Sequence, residues 1–166
     1  MEWSLERLSW LPEAPDDFRL RCRALPTAGA AWARDVRFLA GHRLDSAQLM
    51  QLAKAITKPP SQAPGLTPFR LGFLSNATTE LISPCLAASA ARHGLLLEVI
   101  DTPFDQAVQQ AMDSDSRLNR SAPDAVLLAL DCRALPLDRG VDAALQLVKA
   151  IREAIAELES RLSMLE

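Results

Sequence analysis

Residues 69–74 read Phe-Arg-Leu-Gly-Phe-Leu, and residues 125–130 read Ala-Val-Leu-Leu-Ala-Leu. Each is a short apolar run that stops at polar residues, and a third apolar run, 95–100, lies between them. Helix-length segments separate the three runs, which is the order expected of a parallel sheet with covering helices. The stretch from 69 to 131 therefore predicts a three-layer α/β domain whose parallel strands are these three runs.

The residues ahead of this stretch have the periodicity of helices. Pro15 followed by two aspartates is typical of a helix start, and Gly41 of a helix end. Asp45 or Ser46 is suited to cap a further helix. Prolines then accumulate before the first apolar run, as they do in linkers. The sequence therefore predicts an all-helical N-terminal appendage at 1–58, a linker at 59–66 and an α/β domain at 67–166.

The last segment repeats apolar residues at alternating intervals of three and four, which is the seam of a heptad repeat. This pattern predicts one long helix from about Asp138 to Ser163. We expect its distal part, 148–165, to bury its apolar stripe against a second copy of the chain or against the N-terminal appendage. An ordinary helix packed on its own domain is the alternative. The seam consists of Val141, Ala144, Val148, Ile151, Ile155, Leu158, Leu162 and Leu165.

Charge and cysteine content exclude several classes of protein. The net charge of −3 gives no reason to expect nucleic acid or an anionic membrane as a partner. No apolar run approaches the roughly 18 residues that cross a bilayer, and the first residues lack the pattern of a secretory signal. Cys22, Cys85 and Cys132 are widely spaced, which favours free thiols in a reducing compartment over a zinc site. We therefore expect a cytoplasmic protein.

Polar residues follow the predicted strands at the edge where parallel sheets bind ligands. Ser75, Asn76 and Thr78 follow the first strand, Asp101-Thr102 ends the second, and Asp131 follows the third. We expect Asn76, Thr78 and Asp131 to lie side by side as a ligand-binding rim that neither histidine reaches. The alternative is purely structural: Thr78 or the next threonine caps the following helix, Asn76 assists, and Asp131 begins a turn.

An ordered series of short motifs resembles the N-terminal region of FkbH-like proteins. Such proteins pair a domain similar to SGNH (GDSL-type) hydrolases with a haloacid-dehalogenase-type (HAD-type) phosphatase domain. The resemblance implies an SGNH- or flavodoxin-like sheet and a part in moving a glyceryl unit onto an acyl carrier protein in polyketide-type biosynthesis. The motifs are Trp-Leu-Pro-Glu-Ala-Pro-Asp-Asp-Phe (10–18), Leu-Ala-Gly-His-Arg-Leu-Asp (39–45), Leu-Ser-Asn-Ala-Thr-Thr (74–79), Ala-Arg-His-Gly (91–94), Phe-Asp-Gln (104–106), Met-Asp-Ser-Asp-Ser-Arg-Leu (112–118) and Pro-Asp-Ala-Val-Leu-Leu-Ala-Leu-Asp (123–131).

The phosphatase half of such proteins needs an Asp-x-Asp motif after an apolar strand and binds magnesium. In this chain, Asp113-Ser114-Asp115 falls in a predicted turn after a helix instead. We therefore expect no metal site and no cofactor in this chain, because magnesium would belong to the missing half. The remaining domains of the same system, like the carrier protein, are the expected partners.

The SGNH-like part also departs from its pattern. SGNH enzymes carry Gly-Asp-Ser-x-Ser/Thr at the end of the first strand, and that pattern places Asn76 at the nucleophile position. Because an amide cannot replace a regenerated hydroxyl nucleophile, the resemblance implies a domain that binds or scaffolds. Two alternatives stay open. One is a free-standing serine esterase or acyltransferase that uses Ser75, and the other is a truncated domain without independent activity, since SGNH-like domains have more than three strands.

Overall fold

The computed structural model describes residues 8–57, 59, 65–104, 106–131 and 140–163. Their contacts divide the chain into two compact units. The first unit combines Met1–Pro68 with Leu81–Leu97, and the second combines Phe69–Glu80 with Glu98–Glu166. The contacts thus group part of the expected α/β region with the N-terminal helices. The domain boundaries given above stay a prediction, and most of the expected linker lies outside the described residues.

The first unit is built from four α-helices and three short 3₁₀ turns among its described residues. The capping residues explain two of the helix ends. Asp45 accepts a hydrogen bond from the Gln48 backbone N–H while the Gln48 side chain accepts one from the Asp45 N–H, a capping box that begins α3. Gly94 adopts a left-handed φ of 81° and ends the turn that follows α4. The helices are α1 (Phe18–Ala24), α2 (Trp32–Ala40), α3 (Ser46–Ile56) and α4 (Ile82–Ala90), and the 3₁₀ turns are Leu25–Thr27, Gly29–Ala31 and Ala91–His93.

The core of the first unit lies among these helices. Trp32, Val36 and Leu52 are fully buried there. Ala88 of α4 is also fully buried in this core, and α4 packs against α3. Small side chains allow helices to approach closely, so the alanine-rich face of α4 suits a helix partner.

The second unit contains most of a three-stranded parallel sheet. Its strands are β1 (Thr67–Ser75), β2 (Leu95–Asp101) and β3 (Ala125–Ala129), in the order β2-β1-β3. In the pairing of β1 with β3, Leu71 lies opposite Ala125 and Ser75 opposite Ala129. The predicted α/β class and all three predicted strands are therefore confirmed. The central strand β1 is flanked on both sides, so its final residues are buried.

The described residues of the second unit form three helices: α5 (Ala107–Met112), α6 (Arg117–Arg120) and α7 (Val141–Ser163). The predicted turn lies between α5 and α6, where Asn119 donates its side-chain N–H groups to the carbonyl oxygens of Gln110, Ala111 and Asp113. Ser116 begins α6 by accepting a hydrogen bond from the Asn119 backbone N–H. These bonds stabilise both helix ends at the turn.

The long C-terminal helix is confirmed, as α7 runs without interruption through its described residues. The predicted start at Asp138 lies outside the described residues. α7 packs against α5, and its Ala144 is buried while Val141 and Leu145 are exposed. Which surface covers the apolar stripe of residues 148–165 stays a prediction. In the part of the chain that the structure describes, no helix is both long and apolar enough to cross a membrane.

Candidate functional site

Two hydrogen bonds at the carboxyl edge of the sheet join Asn76 to Asp131. The Asn76 Nδ2 donates to Asp131 Oδ1 at 2.7 Å, and the Asp131 backbone N–H donates to Asn76 Oδ1 at 3.1 Å. Because β1 and β3 are parallel and in register, the residues that follow them emerge side by side. Asn76 is buried and Asp131 is exposed. The structure therefore brings together two of the three residues that the sequence placed at the rim.

The third predicted residue, Thr78, is exposed, and its neighbour Thr79 takes the inward position. The Thr79 Oγ1 donates to Asp101 Oδ1 at 2.7 Å, which ties the segment after β1 to the end of β2. The expected cap is also wrong: α4 begins at Ile82 with Leu81 as its N-cap, and no side chain caps it. The sequence signal for this contact was the aspartate at the end of the second strand, but nothing in the pattern chose between adjacent threonines.

The hydroxyl of Ser75 is the alternative nucleophile. It is 5% exposed, and its Oγ accepts a hydrogen bond from the Ala77 backbone N–H at 3.0 Å. That bond is a local serine turn, which fixes the side chain toward its own loop. The two histidines, His42 and His93, belong to the first unit, and the His42 Nδ1 lies 2.8 Å from the Phe38 carbonyl oxygen. No general base for Ser75 is therefore found among the described hydrogen bonds.

The rim offers groups that orient a polar ligand. Asp131 is exposed beside Asn76, and Thr78 presents its hydroxyl at the surface of the same loop. Carboxylate and hydroxyl groups at the carboxyl edge of a parallel sheet bind hydroxyl- or amide-bearing ligands through hydrogen bonds. Among the residues whose positions are described, no group of three or more His, Cys, Asp or Glu side chains is arranged to hold a metal ion. The role of Asn76, Thr78 and Asp131 in binding stays a prediction.

The fold and this rim define an α/β protein with a short parallel sheet and polar residues at its carboxyl edge. Neither a protein-family model nor a curated protein matches the chain. Among solved structures it is similar to the N-terminal part of the protein BF1531 from Bacteroides fragilis, described as containing a phosphatase domain complexed with Mg. The identity is 15% and the TM-score 0.48, over 76% of this chain and 29% of that one. This chain thus spans less than a third of that structure.

Proposed function

We propose that this chain is a cytoplasmic SGNH-like domain of an FkbH-like glyceryl-transfer system and that it binds or scaffolds rather than catalyses. Its partner in this proposal is an acyl carrier protein or the phosphatase domain of the same system. The observation that carries the proposal is the pair of hydrogen bonds between Asn76 and Asp131. Those bonds involve both the nitrogen and the oxygen of the Asn76 side-chain amide, at the position where SGNH enzymes place their nucleophile.

The chemistry of this position favours binding over catalysis. Acyl transfer through a covalent intermediate needs a hydroxyl or thiol beside a base, and Asn76 provides neither. Ser75 is buried, and its oxygen already accepts the Ala77 N–H. Burial at 5% exposure leaves an ester carbonyl little access to the Ser75 oxygen. Thr78 and Asp131, by contrast, are exposed where a ligand or partner can reach them.

A binding experiment tests the proposal directly. The chain is titrated with a phosphopantetheinylated acyl carrier protein, with and without a glyceryl group, and binding is followed by calorimetry. We expect binding that Thr78→Arg weakens at least tenfold, because a bulky cation is added at an exposed position of the loop that follows β1. The matched control is Ala47→Arg, which adds the same cation at an exposed position of α3. Absence of binding, or equal weakening by both variants, contradicts a role for the rim in carrier binding.

A second measurement separates this proposal from the esterase alternative. Nitrophenyl acetate hydrolysis by the purified chain is compared with that of its Ser75→Ala variant. We expect the two rates to be equal and at the uncatalysed background, since the Ser75 hydroxyl has no base among the described hydrogen bonds. Hydrolysis above background that Ser75→Ala abolishes would instead identify a serine esterase. A chain that neither binds the carrier nor hydrolyses the ester is a domain without independent activity.

A further inference from the structure

Among the described residues β3 is an edge strand, and its own sequence lacks the usual protection. The strand order β2-β1-β3 places no described strand on the outer side of β3. Natural edge strands are normally blunted by charged residues, proline or a bulge, because an open edge is a template for another strand. The other edge strand, β2, contains Glu98, whereas β3 reads Ala-Val-Leu-Leu-Ala and contains neither a charge nor a proline.

The side chains of β3 divide unevenly between the two faces of the sheet. Val126 and Leu128 pack against the core of the second unit, which includes Leu74 and Leu118. Leu127 points to the opposite face, because side chains alternate along a strand, and it is 40% exposed. A strand that pairs with β3 would cover part of this leucine, because side chains directly opposite one another on paired strands are in contact.

The sequence of β3 is nearly the same in both directions about Leu127. An antiparallel pair centred there sets Ala125 opposite Ala129, Val126 opposite Leu128, and Leu127 opposite its own counterpart. Small residues thus meet small residues, and branched residues meet branched residues. In the same register the flanking Asp124 lies opposite Leu130 and Asp131 lies opposite Pro123, so no carboxylate faces another directly. Shape and charge are therefore compatible with an identical strand.

We propose that the β3 edges of two copies of this chain pair antiparallel about a two-fold axis at Leu127. The two three-stranded sheets then form one continuous sheet of six strands. A two-fold axis makes the interface self-complementary, which is the commonest symmetry of protein dimers. Five paired residues on each side make an interface smaller than that of a typical stable dimer. The dimer is accordingly weak, with a dissociation constant in the micromolar range.

Charge placed at the two-fold axis gives the sharpest test. Sedimentation of the wild-type chain across micromolar concentrations should show a monomer–dimer equilibrium. Leu127→Lys and Leu127→Asp should each be monomeric, because the axis sets like charges opposite one another. An equimolar mixture of the two variants should regain dimers, since a lysine then faces an aspartate. Leu145→Lys on α7, where the leucine is 60% exposed, is the matched control and should leave the dimer unchanged.

Cross-linking keeps the proposal testable if a charge at this position prevents folding. Two cysteines directly opposite one another in an antiparallel pair lie within the Cα distance that a disulfide requires. Oxidation of Leu127→Cys should therefore give covalent dimers that the wild type and Leu145→Cys do not give. A wild-type chain that stays monomeric overturns the proposal and leaves the edge to a strand from another protein. Self-association that persists in Leu127→Lys but is lost in Ile155→Glu also overturns it, and assigns the contact to α7.

Discussion

Asn76 and Asp131 exchange two hydrogen bonds across the carboxyl ends of β1 and β3, although 55 residues separate them in the chain. The amide of Asn76 acts as donor and acceptor in the same pair, which fixes its orientation. Since Asn76 is buried, water replaces a hydrogen bond lost from its amide only in part. This pair therefore holds together the two strand ends that form the rim.

Truncating that amide should destabilise the fold. We expect Asn76→Ala to lower the free energy of unfolding by about 1–2 kcal/mol, the usual cost of a lost hydrogen bond at a partly buried site. Asn76→Asp should cost more, because a second carboxylate would face Asp131. Urea unfolding followed by circular dichroism measures both. Thr78→Ala, at an exposed position of the same loop, is the control and should change stability by less than about 0.5 kcal/mol.

The adjacent threonines should respond very differently to the same substitution. Thr79→Val keeps the shape of the side chain but removes the hydrogen bond to Asp101, and we expect a loss of about 1 kcal/mol. Thr78→Val should be nearly neutral because Thr78 is exposed. Thermal and urea unfolding of the two variants decide the matter. Equal effects would show that the inward position of Thr79 contributes nothing to stability.

The close approach of α6 to β1 should depend on Gly72. A Cβ at this position would clash with the Cδ1 of Leu118, which is fully buried. We expect Gly72→Ala to cost about 1–3 kcal/mol through overpacking. In the double variant with Leu118→Ala, part of that cost should disappear, because the clashing methyl group is gone.

A double variant with a buried leucine from the other unit is the control for the pair Gly72 and Leu118. Leu39 is also a fully buried leucine, but it belongs to the core of the first unit. Combining Gly72→Ala with Leu39→Ala should give the sum of the two single losses within about 0.5 kcal/mol. If the stability losses of Gly72→Ala and Leu118→Ala also add in their double variant, the contact between Gly72 and Leu118 is not what limits side-chain size at position 72.

Burial raises the pKa of the Cys22 thiol from its ordinary value of 9.0 to about 11. Because the folded chain keeps this proton more strongly than the unfolded chain, the stabilisation is complete below pH 9 and is lost as the pH rises toward 11. We expect the free energy of unfolding to fall by at most about 2–3 kcal/mol across that interval. The chain contains no tyrosine, so few other groups titrate in that range.

Replacement of the thiol isolates its contribution. Cys22→Ala should flatten the decline in stability between pH 9 and 11 relative to the wild type, as measured by urea unfolding at a series of pH values. In the folded wild type, Cys22 should also react more slowly with iodoacetamide than Cys85, which is partly exposed. A Cys22→Ala variant with an unchanged pH profile would show that the thiol does not titrate differently in the two states.

Much of the local structure could be predicted from the residues alone. The three apolar runs became β1, β2 and β3, because only burial in a sheet satisfies short segments that are apolar on both faces. Asp45 begins a helix and Gly41 follows the end of another, as expected from a capping side chain and from a glycine at a helix terminus. These features depend on residues within about four positions of one another, and a sequence pattern contains that information.

Other features required contacts between distant segments. The sequence indicated Thr78 at the rim and a threonine cap for α4, yet Thr79 turns inward to Asp101 and α4 begins later without a side-chain cap. The alanines of α4 suit either the sheet or another helix as a packing surface, and in the structure Ala88 lies in the core formed with α3. A helix with small side chains on most faces packs equally well against either surface, so its sequence does not select one.

By itself, the sequence determined which segments become strands and helices, that Asp45 begins a helix and Gly41 follows the end of one, and that Asn76 and Asp131 share one edge of the sheet. Parallel strands emerge at a common edge whatever their spacing in the chain, so this last point needed only strand direction. The tertiary structure alone decided which threonine bonds Asp101, how closely Leu118 approaches Gly72, and which residues of β3 stay exposed. Each of these depends on how the packed helices and strands are rotated and how far apart they lie. A shift of one residue replaces one side-chain contact by another, and no periodic sequence pattern specifies such a shift.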